Sequence, residues 1–469
     1  MNSSSATVGA NNFPPTYTYE STNPTTANCA GGANPDFVVY NTGVAGSSSQ
    51  ASIIAYDNLY SGLCSGAGTV PQTYWAYNTG GTIETAVAQS LDGTQLAFVH
   101  SASTSSLVLL KWAAGKGTAS SPTTLTPVAN NLYKGCMAPC MTTISFGRTD
   151  DDTLSSPFYD LVNDNIYIGG ATGYIYGFTH VFLGLTTPAL GWSVQVASKN
   201  VVASPVYDPV SGYVYTVDYT SNVDELTPSG TLVAQVLIPG PTGGNNQDDI
   251  QEGPIVDPTA EKVYIFGEGK TTNYVAQVQT NFTSSSPVTY ATVGSSANSD
   301  TEVLYAGNFD NAYYSSINGT GNLYVCGDNG GDATVYQIPV SAGVMSATAN
   351  PGPVLTSGTD QCSPGSEIYN TSGAVPYDWL FVGVRGDGLA SGCSGGACVM
   401  GIPLTSWLPS TSYALGQMVV DDHFNIEVVT TAGTSGAGTP SWPAAGSAGT
   451  VTGDGSTVKW TSQGPFTFT

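Results

Sequence analysis

Four acidic side chains recur at one register of this chain: Glu84, Asp152, Asp249 and Glu302. Each stands eight residues ahead of a second acidic residue, Asp92, Asp160, Asp257 and Asp310 respectively. Ser49, Asn200 and Thr359 hold the same offset from Asp57, Asp208 and Glu367, and Asp360 follows Thr359 directly. Asp150, Asp151, Asp248, Glu252 and Asp300 crowd the same stretches. Carboxylates gathered this way suit three kinds of chemistry. With backbone carbonyls they can hold a hard cation such as Ca²⁺, and the candidate ligands are Glu84, Asp152, Asp249, Glu302 and Asp360. Two carboxyls of unequal pKa can cleave a glycosidic bond, one as acid and one as base or nucleophile, with Asp152, Asp249 and Glu302 as candidates. A ring of negative charge can also draw in cationic groups. The plain alternative is that loop Asp and Glu are solvated or cap turns.

The register comes from a repeat. Ser156-Pro157-Phe158-Tyr159-Asp160 runs into Asn165-Ile166-Tyr167-Ile168-Gly169, and Ser204-Pro205-Val206-Tyr207-Asp208 into Gly212-Tyr213-Val214-Tyr215-Thr216. Gly253-Pro254-Ile255-Val256-Asp257 followed by Lys262-Val263-Tyr264-Ile265-Phe266 is a third copy. A strand, an Asp-led turn and a second strand rich in Tyr, Val and Ile describe an antiparallel hairpin. Taking the acidic residue as the marker that ends the first strand of each unit gives positions 57, 92, 160, 208, 257, 310 and 367. No amphipathic helix is evident between them. All-β units of this length stack radially, so the expected fold is a seven-bladed β-propeller of four-stranded antiparallel blades over 36–404. Apolar runs such as Ile166–Ile168 then belong to strands covered on both faces. The segment entering each first strand lies at one mouth of the channel, which is how the carboxylates would form a ring.

The 469 residues carry 9 Lys and Arg against 33 Asp and Glu, a formal charge of −24. That balance argues against nucleic acid and anionic membranes as partners. No stretch approaches the roughly 18 consecutive apolar residues of a membrane span. The eight cysteines are even in number and fit an exported protein with disulfides. Cys136 with Cys140, and Cys393 with Cys398, read as short bridged loops, leaving Cys29 with Cys64 and Cys326 with Cys362, although spacing alone does not fix connectivity. The start, Met1-Asn2-Ser3-Ser4-Ser5, lacks a basic and an apolar region, so a mature form without its export signal is expected, secreted or at the cell surface. Residues 1–35 read as an extended, polar lead-in.

Near Leu404 the character changes. Trp407, Tyr413 ahead of Gly416, Trp442 and Trp460 punctuate a small all-β module over 405–469. This segment resembles the carbohydrate-binding modules appended to bacterial chitinases and phage tail proteins. The resemblance implies glycan contact through Trp407, Tyr413 and Trp442; the competing reading makes them core. The blades resemble secreted bacterial propellers that carry Ser-Pro-x-Tyr-Asp before a Tyr-Val strand, a likeness that implies fold and no active site.

The expectation is therefore a secreted binding protein for neutral polysaccharide or cell-surface glycan, with self-assembly into an extracellular layer or filament as a further role. Its rival is a carbohydrate-active hydrolase built on the acidic mouth. No cofactor is expected beyond Ca²⁺.

Overall fold

The structure is a computed structural model. It describes the chain outside residues 1–15, 19–27, 31–34, 150–152, 154, 199, 242–251, 270–271, 296–303, 358–361, 371–376, 390–392, 394, 406, 422, 424, 445 and 466–469. Two compact units divide it, Met1–Gln235 and Val236–Thr469.

The strands fall into consecutive antiparallel sheets, the blades of a β-propeller fold. In the first unit, the third blade orders Phe158–Asp160, Asn165–Gly169, Tyr174–Thr179 and Ala189–Gln195 side by side. The fourth repeats this with Val206–Asp208, Tyr213–Val217, Asn222–Leu226 and Leu232–Leu237. The second uses Ala88–Gln89, Gln95–His100, Ser106–Lys111 and Cys140–Ser145. In the second unit, a fifth blade runs Ile255–Asp257, Lys262–Glu268, Asn273–Gln279 and Thr289–Thr292. The sixth is enlarged around the long hairpin Gly321–Asn329 and Asp332–Ser341, and the seventh shows three strands, Ser366–Asn370, Tyr377–Val384 and Cys398–Pro403.

Continuous apolar runs have the physical reason the sequence implied. In the second blade, Leu96, Phe98, Val108 and Leu110 face a cluster with Phe37, Ile53, Trp75 and Tyr77 of the first blade. Their neighbours Ala97, Val99, Leu107 and Leu109 face the other way, against Ile166, Ile168, Tyr176 and Phe178 of the third. A strand's alternate residues thus serve two cores, and neither face is left to water. Each such side chain contributes about 1.5–3 kcal/mol by leaving water. Between the third and fourth blades, Gly177 is a glycine because a Cβ there would lie 2.1 Å from the Trp192 indole.

The repeated Asp is a turn cap. Asp160 Oδ1 accepts from the backbone N–H of Val162 and Asn163, and Asp257 Oδ1 from Thr259 and Ala260. In the sixth blade the turn has become a short helix, Asn311–Ser315, and Asp310 caps it by accepting from Tyr313 N–H.

Two expectations about register are corrected. The lead-in contributes Thr16–Thr18, which pairs with Phe37–Val39 as the first strand of the first blade. Asp57 therefore ends the third strand, Ile53–Asp57, and the marker there belongs to a different place in the blade. Glu367 is likewise the second residue of its strand and does not end it. The four disulfides are Cys29–Cys64, Cys136–Cys140, Cys326–Cys362 and Cys393–Cys398, the two short loops and the two longer pairs of the expectation.

In the tail, Met418–Val420, Asn425–Thr431, Val458–Pro465 and Val451–Asp454 form a sheet. One face, with Val419, Val429 and Trp460, closes its own core. The other, with Met418, Val420, Ile426 and Val428, packs on Leu380, Val382, Met400 and Ile402 of the seventh blade. The tail sheet thus shares a core with the blade that precedes it.

Candidate functional site at the leading ends of the blades

Strand polarity sorts the loops. A blade's first and third strands start, and its second and fourth finish, at one end, called here the leading end; the turn-capping Asp residues sit at the trailing end. Of the register residues of the sequence, Glu84, Asn200 and Ser49 are described and fall at the leading end. Asp152, Asp249, Glu302 and Asp360, together with Asp150, Asp151, Asp248, Asp300 and Thr359, lie outside the described residues. Glu84 is half-buried just before Ala88–Gln89, and Asn200 is half-buried before Val206–Asp208. Ser49 sits on the turn ahead of the third strand of the first blade, its N–H donating to Ser47 Oγ. Among the described residues no group of three or more His, Cys, Asp or Glu could hold a metal ion.

What the described leading ends do present is one arginine stacked on a tyrosine and a second within electrostatic reach of another tyrosine. The chain has two arginines. In the first unit, Arg148 follows the last strand of the second blade and its guanidinium lies 3.5 Å from the ring centroid of Tyr174. Tyr174 opens the third strand of the next blade, is half-buried, and donates its hydroxyl to Gln195 Oε1 at 3.3 Å. In the second unit, Arg385 follows the second strand of the seventh blade. It lies within electrostatic reach of Tyr305, as does Glu252. Burial raises the Tyr305 phenol above its ordinary range, Glu252 adds to that, and Arg385 opposes it. Burial pushes the Glu252 carboxyl up to about 7. A protonatable carboxyl and a planar guanidinium therefore lie within electrostatic reach of the same phenol at one leading end, groups that together offer donors and acceptors.

The tail aromatics have a different place. Tyr413 and Trp442 are buried with Trp460, and Trp407 packs against the same cluster half-buried. Asp454 Oδ2 accepts from both the Trp407 and Trp460 indole N–H groups, at 2.7 and 3.0 Å. Tyr413 Oη accepts from Leu408 N–H at 2.7 Å. Their rings are engaged in building the small core, which is what so small a sheet requires.

Two buried carboxyls, Asp224 and Glu225, carried no sequence signal, and the marker Glu367 has an environment the sequence did not show. Asp224 accepts from Gln235 Nε2 at 2.5 Å, and burial, with Asp218 nearby, raises its pKa well above the ordinary carboxylate value. Burial pushes the adjacent Glu225 up to about 7. In the second unit, Glu367 is pushed up to about 8, by burial first and then by the neighbouring Asp378.

No protein-family model matches the chain, and no curated relative matches it. Among solved structures it is similar to Sqt1 of Saccharomyces cerevisiae, at 9% identity over 86% of this chain and 90% of that one, with a TM-score of 0.47. It is similar to the WD40 domain of Toxoplasma gondii coronin, at 14% identity over 78% of this chain and 77% of that one, TM-score 0.44. BamB from Moraxella catarrhalis is matched at 13% identity over 95% of this chain and 98% of that one, TM-score 0.41. These likenesses are too distant to carry any argument about function.

Proposed function

We propose that the protein is a secreted binding protein for neutral glycans, recognising them at the leading ends of its blades without turning them over. The observation that carries this reading is that, in a strongly acidic chain, Arg148 stacks on the half-buried Tyr174 there and Arg385 lies within electrostatic reach of the half-buried Tyr305. A tyrosine face stacks on a sugar ring while guanidinium, phenol and carboxyl groups bind its hydroxyls. A net charge of −24 turns away uronates and phosphates and leaves neutral ligands. Four disulfides suit an oxidising compartment, and no helix of the described chain is long and apolar enough to cross a membrane. Ca²⁺ at the acidic loops, with Glu84, Asp152, Asp249, Glu302 and Asp360 as ligands, is part of the proposal.

One observation favours a second reading, a glycoside hydrolase. Glu252 titrates near neutrality, where a general acid works best, and Asp249 or Glu302 would then be its partner. The two readings separate when the purified protein is incubated with insoluble neutral polysaccharides, with and without Ca²⁺. Depletion of protein from solution without released sugar supports binding; released oligosaccharides establish the hydrolase.

A further inference from the structure

The trailing ends of the second and third blades carry an apolar surface that the glycan reading leaves unused. Leu91, Leu132, Met137, Val162, Leu183 and Leu185 are exposed by 82, 58, 89, 67, 56 and 89%. They belong to four loops tied into one surface. Lys134 Nζ donates to Leu183 O at 2.9 Å, and Gln95 Nε2 to Phe182 O at 3.2 Å. Tyr133 Oη donates to Gln95 Oε1 at 3.1 Å. Asp164 accepts from the N–H groups of Phe182 and Leu183, both at 3.0 Å. The leucines are thus held in place by the loop framework and do not rest on one another.

Summed over the four loops, the six residues expose on the order of 800 Å² of largely apolar surface. That is close to the ~800 Å² each partner contributes to a standard interface. The local charge decides what can cover it. A chain of charge −24 repels its own copies over most of its surface. Here, however, stand two of its nine basic residues, since Lys111 Nζ donates to Lys134 O and Lys134 Nζ to the Leu183 loop. Asp164 is occupied by backbone donors, whereas Asp92 is exposed on the Leu91 turn. One patch therefore holds an apolar centre with a lysine and an exposed carboxylate at its border, the self-complementary combination that a two-fold contact needs. An anionic membrane would instead meet the whole negative field of the chain.

We infer that this surface joins two copies of the chain in a closed, two-fold dimer. Sedimentation velocity on the full-length protein at several concentrations in about 150 mM salt tests it. A dimer is expected, and Leu185→Asp or Met137→Asp should weaken it by at least about a hundredfold, since each buries an unpaired charge at the centre. Both side chains are almost wholly exposed, so circular dichroism and melting temperature should stay at the wild-type values. Val344→Asp, exposed in the other unit, should leave the dimer intact. Higher salt should tighten it by screening the net repulsion. A monomer at every concentration, open-ended polymers, or a dimer that survives both substitutions would overturn the inference. So would capture of the monomer by vesicles of neutral lipid, which would make the patch a membrane-resting surface.

Discussion

The backbone N–H of Ser156 donates to Ser204 Oγ at 2.8 Å, so the serine of one Ser-Pro repeat holds the serine of the next. Ser156 in turn accepts on its Oγ from Ala86 N–H at 3.0 Å. The repeated serine is thus a staple between the starts of consecutive blades, and the proline that follows has no N–H to compete for it. Replacing Ser204 by Ala leaves the Ser156 N–H without its partner. The expected loss is about 1–2 kcal/mol of unfolding free energy, measured by denaturant titration. No change would mean that water replaces the staple freely.

The turn-capping role of the repeated Asp predicts a graded response. Asp208 accepts from Val210 N–H on Oδ1 and from Ser211 N–H on Oδ2. Asp208→Asn keeps one such acceptor and should cost less than Asp208→Ala, which should lose about 1–2 kcal/mol. Equal losses for both would point to the charge, and not the turn, as the important property.

The tail aromatics are predicted to be structural. Trp442→Ala should remove a buried ring from the Trp460 cluster, costing about 3–5 kcal/mol and unfolding the tail sheet ahead of the blades. Near-ultraviolet circular dichroism and limited proteolysis would show it. A variant that melts like the wild type but loses glycan would restore the tail as the binding element.

Buried carboxyls give the stability an unusual pH dependence. Glu225, Glu252 and Glu427 are pushed up to about 7 and Glu367 to about 8, against an ordinary value of 4.5. The folded state binds these protons more tightly than the unfolded one. The stability they contribute is complete below about pH 4.5 and is lost as the pH rises through 7 to 8. His100 works in the opposite sense: burial lowers it from 6.5 to about 4, so its share is lost as the pH falls between those values. Four carboxyls against one imidazole predict a melting temperature that rises from pH 8 to pH 5. Glu427→Gln should flatten part of that slope and stabilise the protein at pH 8. A slope of the opposite sign, or one unchanged by this substitution, would contradict the account.

Much of the blade was legible from residues. The Ser-Pro-x-Tyr-Asp hairpins, the strands covered on both faces and the two short disulfide loops, Cys136–Cys140 and Cys393–Cys398, all rest on local chemistry that the chain states openly. Asp57 was misplaced because the strand before it is supplied by Thr16–Thr18, a partner whose sequence has no strand pattern of its own. Asn222-Val-Asp-Glu-Leu226 reads as half polar, yet Asp224 and Glu225 are buried, and Gln235 covers Asp224 on a strand that sequence alone leaves open to water. The stacking of Arg148 on Tyr174 escaped notice because the two residues belong to different blades.

Retention on insoluble neutral polysaccharide by the wild type and by Tyr305→Ala and Arg385→Gln variants tests the central claim most directly. The account predicts that the wild type is retained without sugar release. Each variant should lose retention by about tenfold or more, as loss of a stacking or charged hydrogen-bonding group implies, with an unchanged melting temperature. Retention untouched by either substitution, or release of oligosaccharides that stops with Glu252→Gln, would contradict it.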